Sequence, residues 1–322
     1  MLRKILLVTL LITLMTACAP QATPTTAPAA TEVPATEAST ASPAPATLTF
    51  TDGLGREITL DGPAQRIVSI APSNTEILFA IGAGDQVVGR DQVSDYPEAA
   101  KNVTDIGPAF ETLNTELIVS LEPDLVLAAE INTPEQVKEL EDLGLTVYYL
   151  NNPHTLEELY INLEIVSQLT GREPETTPLV ESLKARVAAV DEKIAPISYP
   201  VSVFYELDST DPSKPYTAGK DSFITLLIER AGGANIAADL EGYPQMSLEQ
   251  IVVADPEFII LGDSMWGVTP EMVASRPGWE NLSAVKNGKV VPFDDNLVSR
   301  PGPRLVDGLE QLAKLLHPEL FQ

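Results

Sequence analysis

Two α/β lobes joined by one long helix are what this sequence predicts. Three observations carry the prediction: short β-branched runs alternate with helical periodicity in the first half, one amphipathic stretch occupies the middle, and the alternation begins again beyond Pro196-Ile197. With 322 residues and 44% hydrophobic content, the chain can bury a sizeable core. Its formal net charge of -26 argues against a nucleic-acid partner, because phosphate binding needs a basic surface that releases counterions.

The N-terminus reads as a targeting signal, residues 1–17, in which Arg3 and Lys4 precede an apolar stretch from Ile5 to Met15 and then Thr16-Ala17-Cys18. That stretch is too short to span a bilayer. Cys18 stands where a bacterial lipoprotein signal places the cysteine that becomes diacylated, although Met15 replaces the more usual Leu. The plain alternative is a chance cysteine after an ordinary secretory signal. With no other cysteine, the exported part has neither disulfide nor thiol chemistry. Loss of Arg3 and Lys4 with the signal takes the charge from -26 to -28. Residues 18–47 are this cysteine and a run of almost only Ala, Pro and Thr, without aromatic residues or periodicity, which is expected to be a disordered tether. Its reach is ~90 Å as polyproline II or roughly 30 Å as a flexible coil.

The body divides into a first lobe at 48–172, a linking helix at 173–196 and a second lobe at 197–322. It opens with LTFTDGLGREITL (48–60), two alternating runs around Asp52-Gly53-Leu54-Gly55 that read as a hairpin. Strands follow at 67–71, 86–89, 125–128 and 146–150, with helices near 73–83, 134–143 and 156–170. Alternation of this kind implies parallel strands with crossover helices. From 173 to 194, Leu179, Leu183, Arg186, Val187 and Val190 recur at three- and four-residue spacing, giving one amphipathic helix. In the second lobe, strands are expected at 201–205, 258–261 and 290–293, and helices near 221–231, 247–254 and 303–316.

These segments resemble a known family, the substrate-binding proteins of ATP-binding-cassette importers for cobalamin, haem and ferric siderophores. The likeness covers essentially all of 48–320. It rests on TDGLGREITL, RIVSIAPSNTEILFAIGAGDQVVG, VSDYP, LEPDLVLA, AGKDSFITLLIERAGGANIA, YPQMSLEQIVVADPEFII, GWENLSAVKNGKVV and RPGPRLVDGLEQLAKLLHPE, in that order. The resemblance implies two Rossmann-like lobes bridged by a stiff helix (the class III periplasmic-binding-protein fold), with a ligand held between them and only modest closure. It also implies a monomer that binds a small-molecule metal chelate, meets the membrane subunits of an importer and is held at the outer face of a membrane by its lipid. No catalysis and no cofactor are expected.

In this family one exposed glutamate per lobe pairs with arginines of the membrane subunits, and the resemblance places these at Glu76 and Glu249. A carboxylate suits the task because it accepts the guanidinium fork through two parallel hydrogen bonds. Ser73-Asn74-Thr75-Glu76 also spells a capping box, in which Glu76 only reaches back to the Ser73 amide. In Ser247-Leu248-Glu249-Gln250 the reciprocal position belongs to Gln250, which frees Glu249 to point outward.

Ligands of open α/β sheets sit beyond the carboxyl ends of the strands. That rule nominates Ser73, Asn74, Arg90, Asp91, Tyr96, Phe110, Glu130, Tyr205, Glu206, Tyr216, Met265, Trp266 and Arg300. Aromatic rings fit a large flat ligand, and arginine fits a propionate or siderophore carboxylate. Trp266 stands out because GDSMWGV directly follows the apolar strand EFIIL, whereas Trp279 reads as packing. A bare transition-metal site needs more imidazoles than His154 and the helix-end or surface His317 supply. Haem held by a tyrosinate at Tyr96, Tyr205 or Tyr216 stays open.

An exported α/β hydrolase is the rival class, but no G-x-S-x-G elbow occurs. GAGDQVVG and RAGGANIA lack the context of a dinucleotide fingerprint. A sensor or scavenger lipoprotein without an importer is a further alternative. Cobalamin is the first choice of ligand, then ferric siderophore or haem.

Overall fold

The computed structural model describes residues 47–322. The signal segment, Cys18 and the tether up to Ala46 lie outside the described residues. The hairpin forms as expected from β1 (Leu48–Thr51) and β2 (Glu57–Leu60), paired antiparallel. At its turn the Asp52 carboxylate takes the Leu54 and Arg56 amides and pairs with the Arg56 guanidinium.

The first lobe then runs β3 (Ile67–Ser69), α1 (Pro72–Ala80), β4 (Val87–Arg90), β5 (Thr104–Asp105), α2 (Thr115–Ser120), β6 (Leu125–Ala129), α3 (Pro134–Asp142), β7 (Val147–Leu150) and α4 (Leu156–Thr170). Its five strands are all parallel, in the order β5-β4-β3-β6-β7. Helices cover both faces, which is why β6 and β7 are buried at every residue and read as continuous apolar runs. Gly171 ends α4 in the left-handed conformation at φ 70°, where a side chain would be strained, and lets the chain reverse within two residues.

Helix α5 (Glu173–Ile194) has the bounds expected from periodicity. The second lobe follows as β8 (Val201–Glu206), α6 (Phe223–Arg230), β9 (Gly233–Asn235), α7 (Leu248–Ala254), β10 (Phe258–Leu261), α8 (Pro270–Ala274), α9 (Ser283–Lys286), β11 (Val290–Pro292), α10 (Asn296–Ser299) and α11 (Leu305–Leu316). Four parallel strands lie in the order β11-β10-β8-β9.

The buried stripe of α5 (Val180, Leu183, Val187 and Val190) joins Leu78 and Leu163 of the first lobe and Leu309 and Leu312 of the second in one apolar cluster. The helix packs on α4 and on α11, so it is a strut clamped at both ends. Two carboxylates of α11 fix it further, as Arg186 bonds Glu310 at 2.9 Å and Asp307 at 2.5 Å. Each face of the two sheets away from this strut has its own core, around Ile118 and Val126 in one lobe and Ile251, Ile259 and Trp279 in the other. His317, read as a surface or helix-end residue, is at the helix end but buried, with Nε2 3.0 Å from the Gly232 carbonyl.

Candidate functional site

The carboxyl ends of the strands come together between the lobes. A cavity of about 390 Å³ lies there, lined from the first lobe by Pro72 and Ser73, by Glu130 and Ile131 after β6, and by Asn152 after β7. Tyr243, Ser299, Arg300 and Pro301 close it from the second lobe. Each first-lobe residue directly follows a strand or opens the helix after one, the location that open parallel sheets offer to ligands.

Beside this cavity the lobes are tied together. Helix α1 begins at Pro72 with Ala71 as its N-cap and no side-chain cap, so Ser73 is already inside the helix and Glu76 lies in its second turn. Glu76 is 2% exposed. It accepts from Arg304 Nε at 2.8 Å and Nη2 at 2.5 Å, and from Arg300 Nη1 at 3.4 Å. Arg300 reaches further into the first lobe, to Asp95 Oδ1 at 2.7 Å and the Val93 carbonyl at 3.3 Å. The Arg304 guanidinium lies 3.9 Å from the centre of the Tyr96 ring. Partial burial would raise the Asp95 carboxyl, but the Arg300 hydrogen bond and charge hold it below its ordinary value. Both sequence expectations for Glu76 are therefore corrected: it neither caps its helix nor stands exposed for docking, because two arginines from the far end of the chain cover it.

The other nominated residues divide. Ser73, Glu130 and Arg300 line the cavity, and the Glu130 carboxylate accepts the Asn152 amide at 3.0 Å. Tyr96, Phe110 and Tyr216 are nearly half-exposed in the connections after β4, β5 and β8, without lining it. Asn74 is fully buried and donates to the Leu127 carbonyl, so it serves the first lobe's packing rather than the cleft. Arg90 is buried against Asp105, and Asp91 is buried on Ser94, its carboxyl raised by desolvation against those bonds.

Tyr205 is completely buried, with its hydroxyl on Asp295 at 2.9 Å. Burial, then the neighbouring Asp295 charge, pushes this phenol well above its ordinary value, which removes it as a tyrosinate ligand. Glu206 is buried in a two-bond pair with Arg276 at 2.6 and 2.9 Å. Trp266 is 80% exposed, but it and Arg276 line a separate cavity of about 580 Å³ within the second lobe. Met265 is half-exposed beside it and lines neither cavity. Among the described residues no group of three or more His, Cys, Asp or Glu side chains is placed to hold a metal ion.

Two contributors went unread. Tyr243, 60% exposed, reaches the cavity from the long connection between β9 and α7, where a rule about residues just after strands has nothing to say. Asn152 does follow a strand, and the same rule reaches it. Glu249 is exposed on α7, where Ser247 and Gln250 form the full capping box and leave its carboxylate without a cationic partner among the described residues.

The first-lobe equivalent of Glu249 is not in α1 but in α2. Residues 114–127, NTELIVSLEPDLVL, repeat 247–260, SLEQIVVADPEFII. In both, a capping side chain (Asn114 or Ser247) precedes a short helix with an exposed glutamate at its second residue, Glu116 or Glu249. Both bury an isoleucine, Ile118 or Ile251. Both then turn through a left-handed acidic residue, Glu122 at φ 47° or Asp255 at φ 41°, into a proline and the strand paired with the first strand of its lobe's parallel sheet, β3 or β8.

Comparison with known proteins places these features in context. Residues 67–297 match the periplasmic binding protein family. A substrate-binding lipoprotein of an ABC transporter from Bacillus subtilis is 38% identical over 280 residues, 85% of this chain and 87% of that protein. The crystal structure of the vitamin B12-binding protein of Vibrio cholerae is similar with a TM-score of 0.68 at 31% identity, covering 81% of this chain and 99% of that one. A haem-binding protein of Roseiflexus is similar with a TM-score of 0.71 at 28% identity, covering 80% of this chain and 99% of that one.

Proposed function

This chain belongs to the periplasmic binding protein family of ABC transporters, and from that premise we propose that it captures a metal chelate between its lobes, cobalamin first, and delivers it to an importer. What supports the chelate reading is the interlobe cavity, where the Tyr243 ring offers a flat apolar surface and Ser73, Asn152 and Ser299 offer hydrogen bonds to amide-type groups. The cavity's modest size suits one edge of a bulky ligand with the remainder projecting toward solvent. Relatives that bind vitamin B12 or haem make ferric siderophore and haem the chelates to test beside it. The bound protein meets the permease through Glu116 on one lobe and Glu249 on the other, the two exposed carboxylates that the internal repeat puts in equivalent places. Lipidation at Cys18 holds it at the outer face of the membrane. Calorimetric titration of the purified protein with cyanocobalamin, haemin and a panel of ferric siderophores tests the ligand: micromolar or tighter binding of cyanocobalamin is expected. Binding of none of them would leave the chelate reading without a basis.

A further inference from the structure

The arginines beside the interlobe cavity are the groups that would recognise an anionic ligand, and none is free. Arg304 spends Nε and Nη2 on Glu76 and covers its other face with the Tyr96 ring. Arg300, which lines the cavity itself, is bonded to Glu76, to Asp95 and to the Val93 carbonyl. An entering propionate or catecholate must break a charge-assisted pairing that is already made and largely desolvated.

Carboxylates without an arginine partner stand at the cavity and near it. Glu130 lines the cavity, and Asp294 and Asp295 stand at the start of the helix that delivers Ser299 to it. None of the three has a cationic side chain within ion-pair distance among the described residues. Asp295 instead takes the Tyr205 hydroxyl, and Asp294 takes the Asn296 amide.

We propose that Glu76 is a charge filter for the cleft: by occupying Arg300 and Arg304 it leaves the Glu130 carboxylate as the unpaired charge lining the cavity, which then admits uncharged and cationic chelates and refuses anionic ones. This rests on the chelate reading above and narrows it by charge class. Asp95 assists from the rim, holding the one Arg300 nitrogen that Glu76 grips only at 3.4 Å. The filter is built from both lobes, so it is complete only when they are together.

The test is calorimetric titration of the purified full-length protein, at fixed salt, with cyanocobalamin (uncharged), ferrioxamine B (a cation), haemin (two propionates) and ferric enterobactin (a trianion). Wild type, Glu76→Gln and Asp95→Asn are compared, folding being checked by circular dichroism. Wild type is expected to bind an uncharged or cationic chelate about 100-fold tighter than either anion, and each variant to gain about tenfold for the anions, the size of one nearby charge at the protein surface. If Glu76→Gln does not fold, Asp95→Asn decides, since its side chain is half-exposed. A wild type that prefers haemin or enterobactin, or folded variants with unchanged anion affinity, overturns the filter while leaving the chelate reading intact. Binding of no probe by the folded wild type overturns both.

Discussion

Glu76 and Glu249 look alike in sequence and are opposites in the molecule. Each follows a serine within a few residues and precedes an apolar run, yet Glu249 is an exposed surface group and Glu76 is sealed between lobes. The difference begins with where each helix starts and is completed by distant residues. Ser247 caps α7 with its side chain, which fixes where that helix starts and which way its second residue faces. Pro72 starts α1 two residues before the serine-led string would, moving Glu76 from the first turn into the second, and arginines 224 and 228 residues away then close over it. Capping is a local property, whereas covering is not.

The largest expected effect tests this contrast directly. Glu76→Ala leaves two mostly buried guanidinium groups without their shared carboxylate and should cost about 3–5 kcal/mol in urea unfolding. Glu249→Ala should change the midpoint by no more than about 0.5 kcal/mol. Equal, small losses in both would mean that Glu76 is not held between the lobes. Next comes docking: each lost carboxylate should weaken permease affinity by about 1.5–3 kcal/mol, the worth of a hydrogen bond to a charged group. Glu116→Ala with Glu249→Ala should therefore stop import in proteoliposomes containing the importer and ATP, with ligand affinity unchanged. Full transport by the double variant would remove both residues from the interface.

A smaller effect than that at Glu76 is expected at Asp95. Its carboxyl is held below the ordinary 3.8 in the folded protein, so its contribution is present above that pH and is lost as the pH falls through the lower folded value. Because the group is half-exposed, Asp95→Asn should cost at most about 1 kcal/mol at pH 7, with the difference from wild type vanishing in strong acid. A difference that grew on acidification would contradict the Arg300 pairing.

Periodicity made most of the architecture legible. The bounds of α4, α5 and β10 follow from apolar spacing, since those segments are buried on a regular stripe or along their whole length. Short elements such as β5, β9 and α8 escape the same reading, being too brief to show a period. The site was legible only where one lobe dictates it. Ser73 and Glu130 follow strands of a single sheet, but whether Arg300 meets a ligand or Glu76 depends on how the two halves face each other. Tyr205 and Glu206 illustrate another limit: residues at the end of β8 lie below the cleft floor because Asp295 and Arg276 claim their polar atoms. The repeat of 114–127 in 247–260 was in the sequence throughout, as an equivalence between distant segments rather than a pattern within one.

The clamped strut also constrains how the protein comes apart. With α5 donating its apolar stripe to a cluster that runs unbroken from Leu78 to Leu312, neither lobe owns a complete interior on that side. Heating should therefore melt both halves in one cooperative step, and a fragment ending before α5 would leave α4 and its neighbours wet. For transport, a permease that pries the cargo loose has no slack hinge to swing. It must move two lobes joined by a rod that is anchored in both.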